Sequence, residues 1–187
     1  PKMKAEVLRQ IPEVENFLRQ CERLTFKQRQ TIVKQGDPSD SIYLILEGSV
    51  SVIIDGDDDD AQQEMVVSYL NAGDFFGEMG LFGEEARTAN LVARVPVEVA
   101  RISYERFHQV RGNYPDILFV LATQIGHRLR TTTRKLTDLA FVDVAGRIAQ
   151  TLNDLTNQPD AMTHPEGMQI RITRQEPQPR CRRRRQR

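Results

Sequence analysis

Apolar residues change their spacing twice along the chain. Val14, Phe17, Leu18, Cys21 and Leu24 recur at helical intervals, and Pro12 suits a first helical position. The spacing predicts a helix over 12–30 with one buried face. From 31 to 102 the pattern breaks into short β-rich runs, at 31–34, 41–46, 49–54, 64–70, 89–94 and 97–102. Turns punctuate them at Gln35-Gly36-Asp37-Pro38, Glu47-Gly48, Asp55-Gly56 and Asn71-Ala72-Gly73-Asp74. Strands so closely spaced predict a small antiparallel barrel or jelly roll, and with the helices around it an α+β fold.

A long helix is predicted over 115–142, opened by Pro115. Leu118, Ala122, Ile125, Leu129, Thr132, Leu136 and Leu139 are spaced 4-3-4-3-4-3. That is a heptad seam, the pattern of a two-stranded coiled coil, and it points to a homodimer. The alternative is a helix packed on its own barrel; the seam is long and narrow for that. Thr132 on the seam costs stability unless something hydrogen-bonds it. Asp143 reads as the N-cap of a shorter helix over 144–156, which Asn157-Gln158-Pro159-Asp160 ends. A loop from Ala161 to Gly167 then leads into a strand, Met168 to Ile172. Thr173-Arg174-Gln175-Glu176 fits the capping box that opens a helix. Pro177 and Pro179 stop that helix early. The divisions are therefore 1–114, 115–142, 143–176 and a disordered tail at 177–187.

The 187 residues, 39% hydrophobic, suffice for one full domain and part of a second. No apolar run approaches the roughly 18 residues of a membrane span, and no amino-terminal stretch resembles a signal peptide. The expectation is a cytoplasmic protein with no membrane partner. Cys21 and Cys181 make no disulfide framework, and Cys21 on its apolar face reads as a buried thiol. The formal net charge of zero hides an asymmetry: residues 177–187 hold six Arg and no acid. Without them the body is mildly acidic, so net charge does not by itself argue for nucleic acid.

The densest chemistry lies at Phe75-Phe76-Gly77-Glu78-Met79-Gly80-Leu81-Phe82, followed by a short acidic loop and Arg87-Thr88-Ala89. A cyclic nucleotide has one phosphate charge, one free ribose hydroxyl and a flat base. Its phosphate needs backbone N–H groups from a Gly-rich turn, and an Arg. Gly77 and Gly80 let the backbone approach closely. Arg87 supplies a two-pronged, charge-assisted contact. Thr88 adds a hydroxyl and an N–H. Glu78 repels phosphate, so it should face the ribose 2′-hydroxyl and hold Arg87 in position. A bland glycine turn with a surface Glu–Arg pair is the competing reading. Arg-Thr at this distance, between two strands, favours the nucleotide.

The chain resembles the bacterial cAMP receptor protein family of transcription regulators, from about residue 20 to Glu176. The resemblance rests on Gln35-Gly36-Asp37, Leu46-Glu47-Gly48-Ser49-Val50, Gly73-Asp74-Phe75-Phe76-Gly77-Glu78 and Ile102-Ser103-Tyr104. Leu139-Ala140-Phe141-Val142-Asp143-Val144 and Gln158-Pro159-Asp160-Ala161-Met162-Thr163-His164-Pro165 narrow it to close relatives of that protein. It implies a cyclic-nucleotide-binding β-roll with flanking helices, a long dimer helix and the start of a winged helix-turn-helix domain. It implies cAMP as allosteric ligand, with Gly77, Glu78, Met79, Gly80, Arg87 and Thr88 at contact positions. Thr132 and Thr133 match hydroxyl residues that reach the adenine across the subunit boundary, and Ser68 is a further candidate. Thr132 would gain its partner this way. Some relatives take cyclic di-GMP instead; the small hydroxyl of Thr88 points to cAMP. The loop before Arg87 is slightly shorter than in close relatives.

The resemblance also implies a mechanism. Ligand orders the coiled coil, Phe141 and Asp143 act as the hinge, and two DNA-binding domains rotate into register with successive major grooves. Val144, Thr173 and Arg174 would meet DNA phosphates. Ala161, Thr163, His164 and Gly167 would form the loop that contacts RNA polymerase. After Glu176 the resemblance stops. Pro177-Gln178-Pro179-Arg180-Cys181 and the arginines that follow carry no recognition helix to hold side chains at base edges. The expectation is an out-of-frame reading of a GC-rich gene and loss of sequence-specific DNA binding. The alternative is a stand-alone cAMP-sensing dimerisation module. Arginines in such a tail give only weak, salt-dependent, sequence-blind phosphate contacts.

Other chemistries find little support. Asp57 to Asp60 reads as a solvated hairpin turn. His108, His127 and His164 lack metal-ligand spacing, and a metal-dependent barrel enzyme needs histidines clustered on strands. The expectation is therefore no metal and no enzymatic activity.

Overall fold

The computed structural model describes residues 13–55, 64–141, 144–156, 162–164 and 167–169. A short helix α1 (Val14–Leu18) is followed by five strands: β1 (Glu22–Phe26), β2 (Thr31–Val33), β3 (Ser41–Glu47), β4 (Ser49–Asp55) and β5 (Glu64–Asn71). Then come β6 (Phe75–Phe76), a 3-10 turn (Glu78–Phe82), β7 (Asn90–Ala93), β8 (Val97–Ser103) and helix α2 (Tyr104–Val110). A second 3-10 turn (Arg111–Asn113) leads into α3 (Pro115–Phe141), then α4 (Val144–Thr156), β9 (Met162–His164) and β10 (Gly167–Gln169).

Two antiparallel four-stranded sheets, ordered β1-β8-β3-β6 and β2-β7-β4-β5, form the roll. Side-chain alternation builds two cores from it. Along β3, Tyr43 and Ile45 point between the sheets, where they meet Val50, Leu70, Leu91 and Val99. Ile42 and Leu44 point to the other face, where Phe75, Ala100 and Ile102 pack against helices through Phe17, Phe107, Ile117 and Leu121. A slip of one residue would exchange the two sets, so the pattern pins the register. Phe17 anchors the helical layer, edge-on to Phe75, Phe107 and Tyr114.

The helix expected over 12–30 is corrected. Helical structure ends at Leu18, and Glu22–Phe26 is a strand. Leu24 and Phe26 turn inward while Arg23 and Thr25 stay exposed, a period of two, and the segment pairs along the edge of β8. A free sheet edge outweighs weak helical spacing. Cys21 is half-buried; its thiol donates to the Phe17 carbonyl at 3.4 Å, and burial pushes it up to about 12. The other predicted strands fall within a residue or so of those observed.

Three further differences lie late in the chain or in short elements. The pair Phe75–Phe76 is a strand of its own. The loop expected over 161–167 contains β9, which pairs with β10 from Gly167↔His164 to Gln169↔Met162. The strand expected at Met168 to Ile172 begins one residue earlier, and its last three positions lie outside the described residues.

Helix α3 presents two stripes. Ile117, Leu121, Gln124 and Arg128 face the roll. Gln124 stitches them together: its amide oxygen accepts from the Phe75 N–H at 2.8 Å and its amide nitrogen donates to the Gly73 carbonyl at 2.7 Å. The heptad seam lies beside this stripe. Leu118 and Ile125 are half-buried at its start, whereas Leu129 is 67% and Leu136 62% exposed. No helix among the described residues is long and apolar enough to cross a membrane.

Candidate functional site

One cavity of about 480 Å³ opens between the second sheet, the 3-10 turn and α3. Its volume suits a small organic ligand. The turn enters it through Gly77, in the left-handed region at φ +77°. A Cβ there would sit 2.7 Å from Arg87 Nη1 and 2.8 Å from the Ser41 carbonyl, so only glycine leaves Arg87 its place. Gly80 does a similar service on the outer side, where a Cβ would strike the Tyr104 hydroxyl. Tyr104 in turn donates to the Gly77 carbonyl and shares a 2.7 Å hydrogen bond with Ser39.

Arg87 is delivered by backbone pairing with the Gln35-Gly36-Asp37-Pro38 turn. Its N–H donates to the Asp37 carbonyl at 2.8 Å, and its carbonyl accepts from the Gly36 N–H at 2.9 Å. Its side chain is buried. Nη1 donates to the Ser41 carbonyl at 2.9 Å, and Nη2 pairs with Asp40 at 3.2 Å. The guanidinium also lies 5.6 Å from the Tyr43 ring centre. Tyr43 stacks on Phe76, and its phenol is pushed above the usual range by burial, against the pull of Arg101 and Arg87.

The expectation that Glu78 steadies Arg87 is corrected. Glu78, 7% exposed, pairs with Arg128 of α3 at 2.7 Å, and Arg128 also donates to the Phe75 carbonyl. Two arginines therefore serve two carboxylates: Arg87 with Asp40, Arg128 with Glu78. The reason is reach. Arg128 reaches from α3 to the turn at Glu78 and Phe75, while Asp40, just before β3, lies within reach of Arg87.

Ser68, Gly77, Glu78, Met79, Arg87, Thr88 and Thr132 all line the cavity. Gly80 stands behind it, against Tyr104. Thr133 is not brought to the cavity of its own chain; it is exposed, and its hydroxyl donates to the Leu129 carbonyl at 3.0 Å. Phe141 ends α3 and Val144 begins α4, while Asp143 lies outside the described residues. Ala161, Thr173 and Arg174 also lie outside them; Thr163 and His164 belong to β9 and Gly167 to β10. Asp154 of α4 lines the same cavity.

Sequence reasoning missed Asp40, Tyr104, His127, Arg128, Thr131 and Lys135. Arg128 carried a signal. It falls on the stripe of Ile117, Leu121 and Gln124, and a charge on a core-facing stripe calls for a buried partner. Asp40 carried none, because only the roll brings it to Arg87.

The pattern of a cyclic nucleotide-binding domain matches residues 23–114. The chain is 48% identical over 170 residues to the cAMP-activated global transcriptional regulator Vfr of Pseudomonas aeruginosa, covering 89% of this chain and 78% of Vfr. It is 49% identical over 166 residues to the cAMP-activated global transcriptional regulator CRP of Salmonella typhimurium, covering 88% and 78%. The chain belongs to the CRP/FNR family of transcriptional regulators. Among solved structures, the c-di-GMP responsive global regulator CLP of Xanthomonas campestris superposes with a TM-score of 0.78. It is 40% identical and covers 86% of this chain and 79% of CLP. CRP/FNR membership accounts for the roll and the long helix.

Proposed function

We propose that this chain is a cAMP-binding, homodimeric transcriptional regulator of the cAMP receptor protein type. One observation carries the reading: a buried guanidinium, a glycine turn and hydroxyls from three separate elements converge on one cavity of nucleotide size. Arg87 and the turn N–H groups take the cyclic phosphate, Glu78 accepts from the ribose 2′-hydroxyl, and Thr132 and Ser68 face the base. Thr88, a small hydroxyl beside Arg87, favours one cyclic phosphate over the two of cyclic di-GMP, the ligand in CLP's description. Thr133, turned away from its own cavity, serves the cavity of the partner. The exposed seam of Leu129 and Leu136 joins two copies.

In this proposal residues 1–114 sense, 115–142 dimerise, and 143–176 begin the output domain, with the hinge at Phe141 and Asp143. Val144, Thr173 and Arg174 approach DNA phosphates, and Ala161, Thr163, His164 and Gly167 approach RNA polymerase. Residues 177–187 carry six arginines and no apolar periodicity. Sequence-specific DNA binding divides this reading from a second one, a cAMP-sensing dimerisation module without output.

Fluorescence anisotropy with two labelled duplexes, an operator palindrome and a scrambled copy, separates the two. Binding to the operator alone, strengthened by cAMP, supports the regulator. Weak and equal binding to both, steeply salt-dependent, supports the module.

A further inference from the structure

The turns of α3 beyond Arg128 have few contacts with the roll, and one of them is polar. Lys135 lies about two turns, on the order of 10 Å, further along the helix than Arg128. Its ammonium donates to the Val67 carbonyl at 2.9 Å. Val67 is an unusual acceptor. Val52 pairs with Ser68 but Ile53 with Val66, so Val67 is the extra residue of a β-bulge and has no partner across the ladder. It sits on β5, the edge strand of its sheet. Lys135, Val67, Ser68, Thr131 and Thr132 all line the same cavity.

We propose that Lys135 is a positioning residue for the nucleotide pocket: its ammonium clips the bulge carbonyl of Val67 and so sets the gap between Ser68 on β5 and Thr132 on α3. The inference rests on the cAMP-binding reading and adds to it. An edge strand is hydrogen-bonded on one side only, so its placement depends on contacts from outside the sheet. The bulge bends it and turns one carbonyl toward the helix. The clip then converts a loose strand into a fixed wall, and the ligand meets a pocket whose width is already set. A lysine suits the task because its stem packs along the wall while its head reaches one acceptor. Since β5 continues directly from the β4–β5 connection, the clip also ties that hairpin to the dimer helix.

The test compares the full chain with Lys135→Met and Lys135→Arg, reading amide hydrogen exchange across 64–71 and cAMP affinity by calorimetry. The methionine keeps the stem and removes the donor, and the arginine restores a donor. Lys135 is exposed, so neither change threatens the fold. The expected result is faster exchange in β5 and roughly three- to tenfold weaker cAMP binding in Lys135→Met, with both recovered in Lys135→Arg. Unchanged exchange in Lys135→Met overturns the clip. Faster exchange with unchanged cAMP affinity overturns its role in positioning. If the unmodified chain binds no cAMP, the pocket reading itself fails, and the exchange data alone judge the clip.

Discussion

The Arg87 guanidinium meets the Asp40 carboxylate at 3.2 Å, and the second oxygen of that carboxylate takes Arg101 at 3.1 Å. Asp40 thus stands between two cations. The Ser41 carbonyl fixes Arg87 independently, at 2.9 Å. Arg87 is therefore held in place by a neutral acceptor and balanced by a shared charge. Its orientation does not depend on Asp40 alone.

Replacing Arg87 by Ala should cost roughly 2–5 kcal/mol of cAMP affinity, because the phosphate charge is left facing the cavity without its partner. That is a loss of at least about thirtyfold. Calorimetry showing unchanged affinity would refute the assignment of the phosphate end.

Asp40→Asn should act in the opposite direction. The amide keeps an acceptor near Arg87 but gives up the negative charge that competes with phosphate. Asp40 is 62% exposed, so solvent screens much of the effect. cAMP affinity should rise about two- to fivefold at low salt, and the gain should fade as ionic strength increases. Weaker binding at every salt concentration would show instead that Asp40 is needed to orient Arg87.

Gly77→Ala should lose cAMP binding and lower the melting temperature. The new methyl meets Arg87 and the Ser41 carbonyl, and the residue must hold φ near +77°. Strain of this kind costs about 1–3 kcal/mol. Gly83→Ala is the control: it shares a positive φ, at +102°, but a Cβ there meets nothing within 4 Å. It should lower stability modestly and leave binding intact. Equal binding loss in both variants would mean that backbone strain, and not displacement of Arg87, explains Gly77.

Breaking the second pair should be a stability defect first. Arg128→Met leaves Glu78 buried without its cation, at a cost of about 2 kcal/mol for a partly solvated pair. Adding Glu78→Gln removes the stranded charge and should recover much of the melting temperature. Additive losses in the double variant would show that the two side chains do not act as a pair.

What the sequence disclosed follows from the range of the forces involved. The strands β2 to β5, β7 and β8 were legible because alternation and glycine turns are local, whereas the two residues of β6 are too few to show either. Tyr43 and Ile45 go one way and Ile42 and Leu44 the other within a single strand. β1 was misread because Val14, Phe17 and Cys21 really do follow helical spacing, and only the open edge of β8 decides that Leu24 and Phe26 belong to a strand. The glycine turn and Arg87 were legible because they lie close together in the chain. Their partners were not: Asp40 precedes Arg87 by a whole sheet, and Arg128 reaches Glu78 from another element. The pairing of carboxylates with arginines depends on which side chain passes overhead, and spacing along the chain carries no record of that.

In the proposed dimer the seam on α3 links dimerisation to the ligand, and the two can be tested together. Leu129 and Leu136 are more than half exposed within the chain, and Thr132, which lines the cavity, lies between them on the same stripe. The face that packs on the roll is a different one, carried by Ile117, Leu121 and Gln124. Leu129→Glu with Leu136→Glu should therefore leave the melting transition of the roll nearly unchanged while placing like charges at the heart of a two-stranded seam. Sedimentation equilibrium should show the dimer replaced by a monomer. Thr133 does not line the cavity of its own chain and in the proposed dimer serves that of the partner, so the monomer should also bind cAMP several-fold more weakly. Full cAMP affinity in a proven monomer would mean that each cavity is complete within one chain. A persistent dimer would mean that the two copies meet on another face.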